Sequence, residues 1–271
     1  MPYFRIGDAD LYAEVAGDGD PVLLLHGGFC SLESLRAQAD ALARRYRVFA
    51  FERPGHGRSA DVDGEYGYGR DVAHALAYLD AVGLESAHVV GYSDGGIIGL
   101  LLALGHPERV RSLVAISANL DPSAFTTSPE ADAATVLVES EEDEPGPAAN
   151  AERLHYERLS PDGPGHLDVV LTKLLRLWAR EPRIDPGDLA RITAPVLVMS
   201  GDRDTVRPDH SLLIAASIPR AQLCIVPGTT HDLVGERPEL VSLLIQQFLA
   251  AGQARARSTA PRAERATGHS G

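Results

Sequence analysis

The chain has 271 residues, 44% hydrophobic and 23% charged, which allows one large domain or two small ones with a sizeable core. Its formal net charge of −13 argues against nucleic acid or an anionic membrane as a partner, because both attract positive surfaces. No apolar run reaches the ~18 residues of a membrane helix, and the first residues lack the layout of a secretory signal. The two cysteines, Cys30 and Cys224, lack metal-ligand spacing, so the sequence predicts a cytoplasmic protein without a disulfide framework.

Short apolar runs alternate along the chain with longer amphipathic ones, a pattern typical of α/β proteins with a mostly parallel sheet. The first two of eight predicted strands form a hairpin, and the third is apolar throughout, as in a strand buried on both faces. The predicted strands are 3–6, 10–15, 22–26, 48–51, 87–93, 110–117, 194–201 and 221–227. The predicted helices of the core are 31–46, 69–82, 94–106, 208–217 and 238–251.

The alternation of strands and helices stops after the sixth strand. Residues 119–190 contain no strand-like run, but they have helical patterns near 150–159 and 166–180. Within this insertion, residues 124–150 carry seven acidic side chains and no lysine or arginine. The simplest interpretation is a helical lid inserted into one domain.

The domain therefore covers residues 1–251, with a core formed by 1–118 and 191–251. The remaining segment, 252–271, carries four arginines, one glutamate and almost no large apolar side chain. Such a segment buries too little surface to offset the entropy lost on ordering, so the sequence predicts a disordered C-terminal tail.

A G-x-S-x-G motif at Gly91–Gly95 lies between the fifth strand and an apolar helix, with Ser93 at its centre. A serine hydroxyl is a weak nucleophile unless it is exposed beside a base, and a sharp strand-to-helix turn exposes it. The flanking glycines are expected because a Cβ would collide with the neighbouring strand and helix. An incidental serine in a glycine-rich turn is the alternative, but the context favours a nucleophile elbow.

Acyl transfer develops an oxyanion, which two backbone N–H groups usually stabilise. Beside an elbow of this kind, one donor is expected from the residue after the nucleophile, Asp94. The other is expected from the loop after the third strand, where Gly28 is the first choice and Phe29 the second. His26 ends that strand and is interpreted as a structural histidine.

Two acids, Asp202 and Asp204, follow the seventh strand, and His231 follows the eighth. Of the ten histidines, only His231 lies in a loop after the last strand, so it is the predicted general base. With Ser93 this gives the chain order serine, aspartate, histidine. The residues alone leave the acid open, because Asp202 could orient the histidine while Asp204 caps the helix near 208.

The motifs HGGF, ERPGHGRS, GYSDGG, GDRD and THDLVGERPEL, in this order, resemble those of the α/β-hydrolase fold family. This resemblance implies an eight-stranded, mostly parallel sheet flanked by helices, with a helical lid after strand six. The family's G-x-x-D pattern selects Asp204, three residues after Gly201. The segment from GYSDGGI to VRSLV is most similar to biphenyl hydrolase-like (valacyclovir hydrolase-like) esterases. Glu52 departs from the usual aspartate before Arg53, and ERPGHGRS suggests no catalytic role.

The resemblance implies a serine hydrolase that cleaves a small carboxylic ester with a Ser-His-Asp triad. Its implied partner is a small-molecule ester, with no cofactor and no metal; the oligomeric state is not indicated. Asp94 is either a helix-start acid or a partner for a cationic group on the substrate. Phe29 and Trp178 are candidate substrate-binding residues, as is Phe125, although core packing would equally explain Trp178 and Phe125.

Other functions are compatible with the same motifs. A carbon–carbon bond hydrolase, a lactonase and a cofactor-free perhydrolase share this triad and oxyanion hole. From a different class, the fold also serves as a small-molecule receptor with vestigial hydrolysis.

Overall fold

A computed structural model describes residues 3–7, 9–126 and 147–259. Its eight strands form one sheet in the order β1-β2-β4-β3-β5-β6-β7-β8. The strands are β1 (Tyr3–Ile6), β2 (Ala9–Ala16), β3 (Asp20–Leu25), β4 (Tyr46–Phe51), β5 (Ala87–Tyr92), β6 (Val110–Ile116), β7 (Val196–Gly201) and β8 (Ala221–Val226). All eight predicted strands are therefore present.

The sheet is antiparallel only at its beginning, where β2 pairs with β1 and with β4. All pairings from β4 to β8 are parallel. Strands β5 and β7 are buried along their whole length, because helices cover both faces of the sheet. This mostly parallel sheet flanked by helices is the arrangement that the sequence predicts.

The helices that connect the strands follow the predicted apolar periodicity. They are α1 (Arg36–Leu42), α2 (Tyr68–Ala81), α3 (Asp94–Gly105), α4 (Pro147–Leu159), α5 (Leu167–Trp178), α6 (Pro208–Ser217), α7 (Leu233–Glu236) and α8 (Pro238–Thr259). None of the described helices is long and apolar enough to cross a membrane.

Three helices differ from the sequence-based prediction, one of them the short α7, which the sequence did not predict. The segment 31–46 begins with a 3₁₀ turn at Leu32–Leu35, because the Ser31 side chain accepts from the Glu33 amide and a capping box closes that turn. At the other end of the chain, α8 continues to Thr259, so residues 252–259 are helical where the sequence predicts a disordered tail. The rest of that predicted tail lies outside the described residues.

The helices between β6 and β7 cover one part of the carboxyl edge of the sheet. The Phe29 side chain, from the loop after β3, is buried among apolar side chains of α4 and α5 and stacks on Tyr156 with a centroid distance of 5.7 Å. This contact attaches the insertion to the loop that leaves β3. The acidic segment singled out in the sequence lies outside the described residues, apart from its ends.

Candidate active site

Ser93 occupies a sharp turn between β5 and α3. Its backbone has φ 53° and ψ −119°, a conformation that is strained for a residue with a side chain. The neighbouring Tyr92 and Asp94 are 5% and 2% exposed, whereas Ser93 is only partly buried. The turn therefore presents the serine hydroxyl at the carboxyl edge of the sheet while its neighbours point into the protein.

The glycines beside Ser93 are required by close backbone contacts. A Cβ on Gly91 would lie 2.1 Å from the Gly95 carbonyl oxygen, at the start of α3. A Cβ on Gly95 would lie 2.1 Å from the Leu25 carbonyl oxygen, at the end of β3. The predicted collisions with strand and helix are confirmed.

His231 connects Ser93 to Asp204 through hydrogen bonds. Its Nε2 atom lies 3.0 Å from Ser93 Oγ, and its Nδ1 atom lies 2.7 Å from Asp204 Oδ1. An ionised carboxylate can only accept, so Nδ1 carries the proton and the Nε2 lone pair faces the serine hydroxyl. The imidazole is partly exposed, whereas the Asp204 side chain is fully buried.

Asp204 is held as a charged acceptor despite its burial. Burial raises the pKa of the carboxyl. The charge and hydrogen bond of His231, together with hydrogen bonds from Ser117 and Val206, lower the pKa by more than burial raises it, so the net shift is downward. Ser117 Oγ donates to Asp204 Oδ2 at 2.5 Å, and the Val206 amide donates to Oδ1 at 2.9 Å. These contacts keep the carboxylate ionised and fix its direction toward His231.

Asp202, two residues before Asp204, makes its hydrogen bonds to the loop that follows β8. Its Oδ1 atom accepts from the amides of Gly228 and Thr229, at 2.6 and 3.1 Å, in the loop that follows β8. It therefore supports the loop that carries His231. Between the two acids left open by the residues alone, the geometry supports Asp204 as the partner of the histidine.

The two amides predicted to bind an oxyanion belong to segments that adjoin Ser93. Asp94 is the first residue of α3, so its N–H has no acceptor within the helix. A Cβ added to Gly27 would lie 3.2 Å from the Ser93 Cβ, so the Gly27–Gly28 segment passes directly beside the serine. Phe29 adopts a left-handed backbone with φ 57° and turns its ring into the insertion.

The interpretation of Asp94 as a free partner for a cationic substrate is wrong. Its Oδ2 accepts from Arg53 Nη2 at 3.1 Å, and its Oδ1 accepts from the Tyr68 hydroxyl at 2.8 Å and from Trp178 Nε1 at 3.0 Å. The carboxylate is buried and ion-paired, so it has no exposed face for a substrate ammonium group. The alternative interpretation, in which Asp94 is only an acid at the start of a helix, does not predict these contacts.

Trp178, at the end of α5, lies against the loop after β3. A Cβ added to Gly28 would lie 2.4 Å from Trp178 Cζ2 and 2.6 Å from Asp94 Oδ2. The indole therefore lies beside the Gly28 segment and the Asp94 carboxylate, and its role in substrate binding stays a prediction. Phe125 forms an isolated β-bridge with Val206, beside the loop of Asp204.

The sequence did not predict three further residues of the site: Ser117, Arg53 and Tyr68. Ser117 ends the apolar run of β6 at the carboxyl edge of the sheet and has a positive φ of 52°. Its position directly after a strand that neighbours β5 and β7 was an available signal. Arg53 and Tyr68 gave no such signal, because their contacts with Asp94 join distant parts of the chain.

Comparison with known proteins indicates the family that this chain resembles. A family model described as the alpha/beta hydrolase fold matches residues 20–151. A protein from Azorhizobium caulinodans that bears the name carbamate hydrolase RutD is 31% identical over 92% of this chain and 98% of its own length. A 2-hydroxymuconate semialdehyde hydrolase of Pseudomonas putida is 29% identical over 88% of this chain and 90% of its own length.

Solved structures agree with the architecture. Est816, described as an N-acyl homoserine lactone degrading enzyme, superimposes with a TM-score of 0.76 at 25% identity. The match covers 91% of this chain and 100% of Est816. A hydrolase from Pseudomonas aeruginosa superimposes with a TM-score of 0.71 at 25% identity, over 91% of this chain and 97% of the other.

Proposed function

The chain belongs to the α/β-hydrolase fold family and is a hydrolase, and from this premise we propose that it cleaves a small carboxylic ester through an acyl-enzyme intermediate on Ser93. One observation carries the proposal. The Ser93 hydroxyl, the His231 imidazole and the buried Asp204 carboxylate form a continuous hydrogen-bonded chain, with distances of 3.0 and 2.7 Å. This is the geometry that nucleophilic catalysis by serine requires.

In the proposed first step, Ser93 Oγ attacks the ester carbonyl carbon while His231 Nε2 takes the hydroxyl proton. Asp204 stabilises the resulting imidazolium through Nδ1–H and does not itself become protonated. The carbonyl oxygen becomes an oxyanion, which the amides of Gly28 and Asp94 stabilise. Collapse of the tetrahedral intermediate breaks the carbon–oxygen bond, and the imidazolium gives its proton to the leaving alcohol.

In the second step a water molecule attacks the acyl carbon of acylated Ser93. His231 takes a proton from this water, and the second tetrahedral intermediate collapses to release the carboxylic acid. The proton returns from His231 to Ser93 Oγ. The cycle consumes one ester and one water and releases one alcohol and one acid, so the enzyme needs no further reactant.

A substrate panel tests the reaction class. We expect repeated turnover of p-nitrophenyl esters of small acids, with and without an α-amino group. A γ-lactone and a carbamate belong in the same panel, because relatives are described by activity on such compounds and both contain an acyl carbon that a serine can attack. Assays of carbon–carbon bond cleavage and of perhydrolysis complete the panel. A single turnover with every compound would instead favour a small-molecule receptor.

The pH dependence tests His231 as general base. The imidazole must be neutral to accept the serine proton, so kcat/KM should fall as the pH is lowered through one dominant ionisation. The neighbouring Asp232 is the necessary control, because burial and the nearby Glu152 carboxylate raise its pKa to about 6. The acidic limb should persist in Asp232→Asn. A flat profile from pH 5 to 8 in the wild type, with chemistry rate-limiting, contradicts histidine as the base.

A second prediction concerns the loop that supplies the Gly28 amide. In Gly28→Ala the new methyl group would overlap the Trp178 ring and the Asp94 carboxylate, as the distances above require. Gly28 does not have a positive φ, so the cost is steric. A shift of about 1 Å in a catalytic group can cost about 10²-fold, and we expect a loss of kcat of that order.

The matched control is Gly69→Ala, in helix α2. Among the described residues, a Cβ added at Gly69 would meet no atom within 4 Å beyond its chain neighbours and the backbone of its own helix, and its φ is not positive. The substitution should therefore leave kcat unchanged. Full activity of Gly28→Ala would show that the loop tolerates displacement and does not supply a catalytic donor.

A further inference from the structure

The ERPGHGRS motif places one buried arginine at the centre of the site. The Arg53 side chain is only 4% exposed, and its Nη1 atom donates to Asp71 Oδ2 at 2.9 Å. Its Nη2 atom donates to two acceptors, the Gly27 carbonyl oxygen at 2.9 Å and Asp94 Oδ2 at 3.1 Å. A single nitrogen therefore joins the loop after β3 to the first residue of α3.

The contact with Gly27 fixes the direction of a catalytic amide. In a trans peptide the N–H points away from the carbonyl, so holding the Gly27 oxygen also sets the direction of the Gly28 N–H. His26 holds the same oxygen, because its Nδ1 lies 2.7 Å from it and its Nε2 accepts from the Arg53 amide at 3.0 Å. Burial, together with the Arg53 charge, lowers the pKa of His26 to about 3, which keeps the ring neutral.

The contact with Asp94 fixes the other proposed donor. The Asp94 carboxylate is held from three sides, by Arg53, by the Tyr68 hydroxyl of α2 and by the Trp178 indole of α5. The main-chain N–H of the same residue is one of those that have no acceptor within helix α3. Trp178 therefore connects the insertion between β6 and β7 to Asp94, one of the two proposed donors.

We propose that Arg53 is a positioning residue that sets the separation and direction of the two oxyanion donors, Gly28 N–H and Asp94 N–H, through its Nη2 atom. This inference rests on the proposed function, because it assumes that the two amides stabilise an oxyanion. A lysine at this position would retain the charge, but its ammonium group lacks the planar fork that binds Asp71 and spans the two segments. The substitution Arg53→Lys therefore separates the effect of the positive charge from the effect of the bridging geometry.

The alternative is that Arg53 only neutralises two buried carboxylates. In that case its loss would lower stability without a specific effect on the tetrahedral intermediate. A positioning role affects the transition state more than the bound substrate, so kcat should fall while KM stays unchanged. A boronic acid inhibitor, which forms a tetrahedral adduct with the serine, should lose affinity by the same factor as kcat.

The experiment compares Arg53→Lys with Arg58→Lys, an arginine of the same motif. Arg58 pairs with the buried Glu52 and with Glu33, and it does not contact Gly27 or Asp94. We expect Arg53→Lys to lower kcat and boronate affinity together by about 100-fold, since loss of one oxyanion donor costs about 10²–10³. Arg58→Lys should retain kcat even if its melting temperature falls.

The outcomes separate this inference from the proposed function. Ester hydrolysis by the wild type that is lost in Ser93→Ala, combined with an Arg53→Lys variant of wild-type kcat and boronate affinity, overturns the inference alone. Absence of Ser93-dependent hydrolysis in the wild type overturns the proposed function instead.

A second variant covers the case in which Arg53→Lys does not fold. Asp94→Asn places an amide nitrogen or a neutral oxygen opposite Nη2 and so weakens the bridge at one end. We expect kcat and boronate affinity to fall together in Asp94→Asn as well, equally for neutral and cationic esters. Unchanged values in this variant contradict the proposed role of the bridge.

Discussion

Replacement of Ser93 by alanine should lower kcat on a p-nitrophenyl ester by about 10⁴–10⁶, because triad nucleophiles contribute that much. The variant should still fold, since Ser93 is partly exposed and its hydroxyl hydrogen-bonds to the partly exposed His231. The measurement is steady-state hydrolysis with an enzyme concentration high enough to detect the residual rate.

Ser200→Ala is the matched control for this substitution. Ser200 is a fully buried serine on β7, near the same edge of the sheet, and its hydroxyl has no hydrogen-bond partner among the described residues. Its removal should leave kcat unchanged. Comparable activity of Ser93→Ala and wild type would remove Ser93 as the nucleophile.

Replacement of Asp204 by asparagine should lower kcat by about 10²–10⁴, because the amide cannot stabilise the His231 imidazolium and favours the wrong tautomer. The asparagine also loses the charge that Ser117 and Val206 support through their hydrogen bonds. Steady-state kinetics at the plateau of the pH profile measure the effect.

Asp202→Asn serves as the control two residues away. Asp202 accepts two amide hydrogen bonds from the loop that carries His231, and an asparagine oxygen can accept them too. Its effect on kcat should therefore be much smaller than that of Asp204→Asn. The reverse order of effects would mean that the acid was assigned to the wrong residue.

The sheet and most helices could be predicted because their signals are local. Strand β5 reads as an apolar run and is buried along its whole length, and α6 begins and ends at the predicted residues. The extension of α8 was missed because low apolar content argues against packing but does not prevent a helix from continuing. The 3₁₀ turn before α1 depends on hydrogen bonds of Ser31 that periodicity does not report.

The part of the site that one sequence motif forms, the elbow around Ser93, could be predicted. The elbow around Ser93 needs its glycines for contacts within the motif and with β3, so the sequence pattern reports the geometry. The environment of Asp94 was not predictable, because its three donors come from three distant segments. A buried ion pair between such segments is fixed by tertiary packing, and a single sequence carries no sign of it.

The buried environment of Asp94 changes the expected preference between charged and neutral substrates. The sequence suggested that Asp94 could bind a substrate ammonium group, but Arg53 already occupies that carboxylate. A preference for aminoacyl esters would therefore have to arise from other side chains. Comparison of paired cationic and neutral esters in the substrate panel measures it directly.

The most direct test of the account is the location of a covalent adduct. A fluorophosphonate reacts with an activated serine, and its stable adduct can be mapped to one residue by mass spectrometry of proteolytic peptides. We expect one phosphonyl group per chain, on Ser93, with loss of esterase activity in proportion to labelling and no labelling of Ser93→Ala. An inactivated protein that carries the phosphonyl group on another residue, or labelling that persists in Ser93→Ala, would contradict the assignment of Ser93 as the nucleophile.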